Sequence, residues 1–330
     1  MRLKLFGIIL IFIAAFVSDE SAAQSWPGLT AVSDTSYNTN AAYRNSKKSN
    51  PETQYVEEYH PSSIKEKKGI VYCSIAKRKL LLDAFYPKAK TNIKRTAIII
   101  IHGGGWRSGN RTQHYPLAQH LADLGYVCFT PEYRLSTEAL YPAAVNDVKA
   151  SVRWVKENAK KYNIDTNKIT IMGFSAGGQL AALTGNTNGN ALFEGTGCPS
   201  TYSSDVKAII DIDGTLSFVL AESGEGDDSK RISAATNWLG ASKKENPAIW
   251  EQASPLKWAG KNSAPTLFIN SSVARMHAGR NDYINILKEN NIYTEVKEFE
   301  NSPHHFCLFA PWFEPTVKTI DNFLKRVFNP

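Results

Sequence analysis

Ser175 lies inside Gly173-Phe174-Ser175-Ala176-Gly177-Gly178, a serine flanked by small residues where an apolar run gives way to a helical pattern. A serine hydroxyl attacks a carbonyl only when a base takes its proton. At the apex of a tight strand-to-helix turn the hydroxyl stands clear of the backbone. The helix N-terminus beside it favours developing negative charge. Upstream, Ile101-His102-Gly103-Gly104-Gly105-Trp106 supplies a second glycine-rich stretch. Glycines there let backbone N–H groups face a carbonyl oxygen that becomes tetrahedral and negative. Gly104 and Gly105, with the N–H of Ala176, are therefore the candidate oxyanion hole. His102 reads as an orienting residue for this loop in preference to a general base. No Gly-Lys-Ser/Thr follows, which argues against a phosphate loop.

Those residues need rigid elements to hold them. Residues 69–73 and 79–85 read as an antiparallel strand pair. Residues 96–101 form a continuous apolar, β-branched run, as expected of a strand covered on both faces. Helix and strand signals then alternate: helix 115–124, strand 126–129, a long amphipathic helix 141–162, strand 168–172, helix 176–184 and strand 206–212. Strand 265–270, helix 281–290, strand 293–299 and helix 315–327 complete the series. Such alternation implies an α/β fold with a mostly parallel central sheet and helices on both faces. A long insertion, residues 214–263, separates the sixth and seventh strands and reads as lid-like; it carries an acidic turn at Glu222–Asp228, then Trp238 and Trp250. Residues 24–68, rich in Ser, Asn, Thr and Tyr, read as a loosely attached lead-in, and 69–330 as the catalytic domain.

In this order the motifs resemble an α/β-hydrolase of the esterase type, on the hormone-sensitive-lipase-like and feruloyl-esterase-like branch. The match includes HGGGW at 102–106, Glu132-Tyr133-Arg134-Leu135-Ser136, Tyr141-Pro142-Ala143-Ala144 with Asp147-Val148 and Val152-Arg153-Trp154, and GFSAGG. It covers about residues 69 to 328. The resemblance implies an α/β-hydrolase fold and a serine hydrolase with no metal or organic cofactor, acting most often on carboxylic esters. It also implies a base late in the chain. In Ser302-Pro303-His304-His305-Phe306, His304 aligns as that base, with its neighbour His305 as the alternative.

The acid departs from the family pattern. The usual place is the loop after strand 265–270, but Asn270-Ser271-Ser272-Val273-Ala274-Arg275-Met276-His277 holds no carboxylate. Asp282 comes next, in what reads as the first turn of a helix, where an acidic residue has a simpler role. Strand 206–212 instead ends in Asp211-Ile212-Asp213-Gly214. Asp213 is the reading adopted, with Asp282 and Asp211 as alternatives. The vacated loop gains Arg275, His277 and Arg280, which either hold a carboxylate-bearing substrate or are surface charge. Trp106, Trp238 and Trp250 form either a sugar-stacking wall or the small core of the insertion.

Thirty-eight Lys+Arg against 31 Asp+Glu give a net charge of +7, with many of the cations in the first third of the chain. This basic face is either simply solvated or steers a polyanionic substrate such as pectin; no nucleic-acid motif accompanies it. Met1-Arg2-Leu3-Lys4 and the short apolar run Leu5–Val17, followed by Ser21-Ala22-Ala23, read as a signal peptide cleaved after Ala23. A secreted or periplasmic protein without a stable membrane span is expected. Of the four cysteines, Cys73, Cys128 and Cys307 lie in apolar runs and read as buried thiols. The function expected is an exported serine esterase acting on esterified plant-type carbohydrate: pectin methyl or acetyl esters, or xylan acetyl or feruloyl esters. The alternatives are a general short-chain carboxylesterase and, because the usual acid is missing, a non-catalytic binding protein of the same fold.

Overall fold

A computed structural model describes residues 26–328; the signal-peptide reading lies outside them. The central sheet has eight strands: β2 (Ile64–Ile75), β3 (Arg78–Pro87), β4 (Arg95–Ile101), β5 (Val127–Pro131), β6 (Ile164–Phe174), β7 (Ala208–Ile212), β8 (Thr266–Asn270) and β9 (Thr294–Glu298). Their spatial order is β2-β3-β5-β4-β6-β7-β8-β9. Both pairings of β3 are antiparallel and the remaining pairings parallel. A separate two-stranded ribbon joins β1 (Gln54–Tyr55) to β10 (Phe309–Ala310).

β4 shows why the sheet is covered on both sides. Its isoleucines alternate across the pleat. Ile99 and Ile101 enter one core with helices α3 (Ala143–Glu157), α5 (Ala176–Asn186) and α8 (Arg280–Glu289). Ile98 and Ile100 enter the other with α2 (Tyr115–Asp123) and α9 (Phe313–Phe328). α9 presents Phe313, Val317, Ile320 and Leu324 at helical spacing, all buried. Among the described residues no helix is long and apolar enough to cross a membrane.

Three expectations need correction. The lead-in expected at 24–68 is, over its described residues 26–68, not loosely attached: α1 (Thr39–Ser49) is capped by Asn38, Ala42 is fully buried, and both β1 and the start of β2 fall in this stretch. The long helix is interrupted after Glu157. The Asn158 side chain donates back to the Trp154 carbonyl at 2.9 Å, and the short α4 (Ala159–Tyr162) follows. This side-chain competition for a helix carbonyl is a recurring way for a helix to stop. Cys73 is bonded to Cys198 across 125 residues, whereas Cys128 and Cys307 are free and buried. The insertion 214–263, with α6 (Ala234–Leu239) and α7 (Pro247–Gln252), packs around Trp238 and Trp250, both fully buried.

Candidate active site

Ser175 sits between β6 and α5 at φ 56°, ψ −122°, a conformation that costs energy in a residue with a Cβ. The sequence permits it because Gly173 and Gly177 lack side chains. A Cβ on Gly173 would lie 2.0 Å from the Gly177 carbonyl oxygen, and one on Gly177 would lie 2.2 Å from that of Ile101. Ser175 N–H is anchored to the Ile212 carbonyl at 2.8 Å, which ties the turn to β7.

The loop after β9 carries His304 to this turn. Ser175 Oγ–H donates to His304 Nε2 at 2.9 Å. On the other side of the ring, Nδ1–H donates to Asp213 Oδ2 at 2.9 Å. A carboxylate can only accept, so Nδ1 carries the proton and Nε2 remains the acceptor for the serine. Asp213 is fully buried. Its other oxygen, Oδ1, accepts the Ser271 N–H at 2.8 Å and the Asn270 side-chain amide at 3.3 Å. The loop that lacks a carboxylate thus supplies donors to the acid on the neighbouring strand. Ile212 and Ile269 are in register in the parallel β7–β8 pair, which brings the two strand ends together.

The glycine-rich loop after β4 lies against the same turn. Gly104 has φ 130°, and a Cβ there would be 2.0 Å from the Ser108 carbonyl oxygen, so only glycine fits. Gly103 N–H is held by the Gln113 side chain at 2.8 Å. Among the described residues, the N–H groups of Gly104, Gly105 and Ala176 donate to no protein acceptor. Gln179, one turn beyond Ser175, accepts from Trp106 Nε1 at 2.8 Å and donates to the Ala253 carbonyl at 2.8 Å, so it binds loop to insertion. Sequence reading did not single out Gln113, Gln179, Asn270 or Ser271. A polar side chain that braces a loop has no spacing signature.

His102 and His305 make other contacts. His102 is buried, stacks on Tyr133 at 4.3 Å, and keeps its Nδ1 3.0 Å from the Gly103 carbonyl. Burial pulls its pKa down to about 4. His305 faces Ser46 Oγ at 3.4 Å and Tyr37, with its pKa pulled down to about 3, chiefly by burial and then by His304. Asp211 is fully buried, points one oxygen at the Gly214 N–H (3.0 Å), and makes no contact with a histidine. Burial, then the nearby Asp213, pushes its pKa up to about 8. Asp282 lies in the first turn of α8, apart from the triad.

The substrate-binding expectations fare differently. Trp106 is buried and stacked on Trp238 (4.9 Å between centroids, 11° between planes), and Trp250 is fully buried. These indoles pack the insertion onto the core and offer no sugar-stacking face. Arg280 is tied to Asn270 Oδ1 at 2.9 Å and to Glu298, so it backs the acid and does not face a ligand. His277 Nε2 lies 2.7 Å from the Ser271 carbonyl. Arg275 is half exposed and paired with Glu225 at 3.3 Å. Among the described residues, no group of three His, Cys, Asp or Glu side chains is placed to hold a metal.

A nucleophile elbow, a Ser-His-Asp relay and a glycine-lined anion site at the carboxyl end of a mostly parallel sheet define an α/β-hydrolase of the serine-esterase type. The family model described as BD-FAE matches residues 82–276, more than half of the chain, and the chain belongs to that family. Two esterases of Mycobacterium tuberculosis are similar to it. LipC is 28% identical over 58% of this chain and 47% of its own length; LipQ is 31% identical over 58% and 45%. The chain therefore spans about half the length of these curated relatives. Among solved structures, a truncated carbohydrate esterase from gut microbiota superposes with a TM-score of 0.68 at 25% identity, covering 82% of this chain and 99% of the other. A propionate-bound esterase of the planctomycete Thermogutta terrifontis shares the fold at a TM-score of 0.65 and 24% identity, covering 81% and 95%.

Proposed function

We propose that this chain is an exported serine esterase that removes acyl or methyl ester groups from carbohydrate chains. The observation that carries the reading is the relay through His304, with 2.9 Å on each side linking Ser175 to Asp213. In the first half-reaction His304 takes the Ser175 proton as Oγ adds to the ester carbonyl. Gly104, Gly105 and Ala176 N–H groups receive the oxyanion, and His304 returns the proton to the departing alcohol. In the second, His304 activates water against the acyl-enzyme and restores Ser175. Asp213 holds the imidazole in the required tautomer throughout.

The carbohydrate substrate is supported by the name of the gut-microbiota neighbour, a carbohydrate esterase. Export is supported by the basic and apolar leader ending at Ala23. The test is separate assay of methanol, acetate and ferulate released from methylated pectin, acetylated pectin, acetylated xylan and feruloylated arabinoxylan, with Ser175→Ala as control. Release of one product that the substitution abolishes supports the reading and names the ester. Cleavage of p-nitrophenyl acetate with no release from any polymer favours the second reading, a small-ester carboxylesterase; the mycobacterial relatives are named simply as esterases.

A further inference from the structure

The basic residues of the first third do not form one face. Lys68 is drawn to Glu58 and Glu66, and Arg78 to Glu132 and Glu138. Lys65, Lys88, Lys90 and Arg95 instead converge with Lys161, from the other side of the sheet sequence, around one cleft of about 530 Å³. Among the described residues, no carboxylate lines it and none of these five cations is in an ion pair. Lys65, Lys88, Lys90 and Lys161 are exposed; Arg95 is held by the Gly125 and Ala89 carbonyls at 3.0 Å each and forms part of the floor. Lys67, two residues along β2, shares the face of Lys65 and extends the row.

We propose that this cleft is a second binding site, for an acidic polysaccharide chain bearing uronate carboxylates. Like charges are gathered here without compensation, at the cost of mutual repulsion, and a polyanion would relieve it. The cleft lies at the opposite end of the sheet from Ser175. Arg95 opens β4, Ile101 closes it beside Gly173, and the seven residues from Arg95 to Ile101 span about 20 Å. The site is therefore no subsite of the catalytic cleft. It holds the enzyme on a polymer whose ester groups are presented elsewhere on the molecule. Tyr162 offers no platform to a nucleic-acid base: it is buried edge-on against Tyr86 and Phe129, with Lys161 Nζ 5.0 Å above its ring. Neighbouring Asn92 and Thr91 offer amide and hydroxyl groups suited to sugar. The inference deepens the carbohydrate-esterase reading and rests on it only for the choice of polymer.

The test is titration of the full chain with unesterified polygalacturonate, a ligand with no bond for Ser175 to cleave. It is run beside neutral arabinoxylan and a DNA oligonucleotide of equal charge. The comparison protein is Lys65→Gln/Lys88→Gln/Lys90→Gln/Lys161→Gln, whose changes are confined to exposed side chains. Polygalacturonate is expected to bind the native chain and to weaken about tenfold or more in the variant and again at about 0.3 M salt. Arabinoxylan is expected not to bind, and p-nitrophenyl acetate turnover and melting temperature are expected to match in the two proteins. Equal binding by native chain and variant overturns the proposal. So does absence of binding at low salt, or tighter binding of DNA than of polygalacturonate. Because the ligand carries no ester, binding stands even if no polymer ester is hydrolysed. Product release without binding removes this site and leaves the esterase reading intact.

Discussion

Asp213→Asn isolates the acid from its surroundings. Asparagine has the same shape, but only its carbonyl oxygen can take the place of Oδ1, which accepts from Ser271 N–H and the Asn270 amide. Rotating the amide would set its NH₂ against two donors. The NH₂ group therefore faces His304 Nδ1, where the carboxylate oxygen was 2.9 Å away. Nδ1 must then become the acceptor, the ring proton moves to Nε2, and the group facing Ser175 Oγ changes from acceptor to donor. Loss of the tautomer in a Ser-His-Asp site lowers turnover about ten-thousandfold, or about 5 kcal/mol in the barrier. The assay is kcat on p-nitrophenyl acetate beside a thermal melt to show an intact fold, with Asp282→Asn and Asp211→Asn in parallel. Asp213→Asn should lose the activity while the other two keep most of it. Retention of kcat within about tenfold by Asp213→Asn, or collapse in Asp282→Asn, would refute the assignment of the acid.

Asp211→Asn should act on stability. Its folded pKa of about 8 lies above the ordinary aspartate value, so the folded state holds a proton that the unfolded chain has lost. The stabilisation is complete below about pH 4 and declines as pH rises towards 8, by at most ~1.4 kcal/mol per unit. Asparagine keeps the bond to Gly214 N–H without the ionisation. Its melting temperature relative to wild type should rise from pH 5 to 8, and a flat difference would contradict the buried acid. Trp238→Ala should cost about 3–5 kcal/mol in denaturant unfolding, because it empties the space beside Trp106 and Tyr141; a change in KM with unaltered stability would restore the sugar-stacking role. Gly104→Ala places a Cβ 2.0 Å from the Ser108 carbonyl oxygen and should displace the loop donors. A drop in kcat on the order of 10²–10³ is expected, and full activity would exclude this loop from the oxyanion site.

The alternation of strands and helices was legible because burial on both faces leaves runs such as Ile98–Ile101 that only a covered strand tolerates. Ser175 and His304 were legible because the turns that carry them constrain their neighbours: glycines at 173 and 177, and a late loop before the last helix. What escaped has no local constraint to mark it. The Cys73–Cys198 pairing joins residues 125 apart whose flanks look like any apolar strand and any polar loop. The segment 39–55 looked unattached because α1 buries only Ala42 and Ser46, too thin a stripe for a periodic signal. Its attachment comes from contacts made at a distance: the β1–β10 ribbon, Tyr43 edge-on to Phe309 at 5.6 Å, and Asn50 Nδ2 donating to the Asn301 carbonyl at 2.7 Å. Arg280 was misread for a related reason. A cation next to a vacated acid position suggests a ligand, yet its hydrogen bond orients Asn270 so that the amide faces Asp213.

The displaced acid follows from sheet geometry. β7 and β8 are parallel neighbours in register through Ile212 and Ile269, so the residues just beyond each strand emerge side by side. A carboxylate from either loop can reach the same ring nitrogen of His304. Buried there, its second oxygen needs donors, and the other loop is placed to supply them. Here the carboxylate comes from β7 and the donors from β8: Ser271 N–H, and an Asn270 amide aimed by Arg280. Asp213 also holds φ 50°, outside the usual range for an aspartate, and its N–H is tied to the Ile269 carbonyl at 3.0 Å. The strained turn, the borrowed donors and the loss of the carboxylate after β8 are thus one arrangement. Restoring an acid beyond β8 while Asp213 remains would set two like-charged carboxylates against one set of donors, so the two positions are alternatives and not additive.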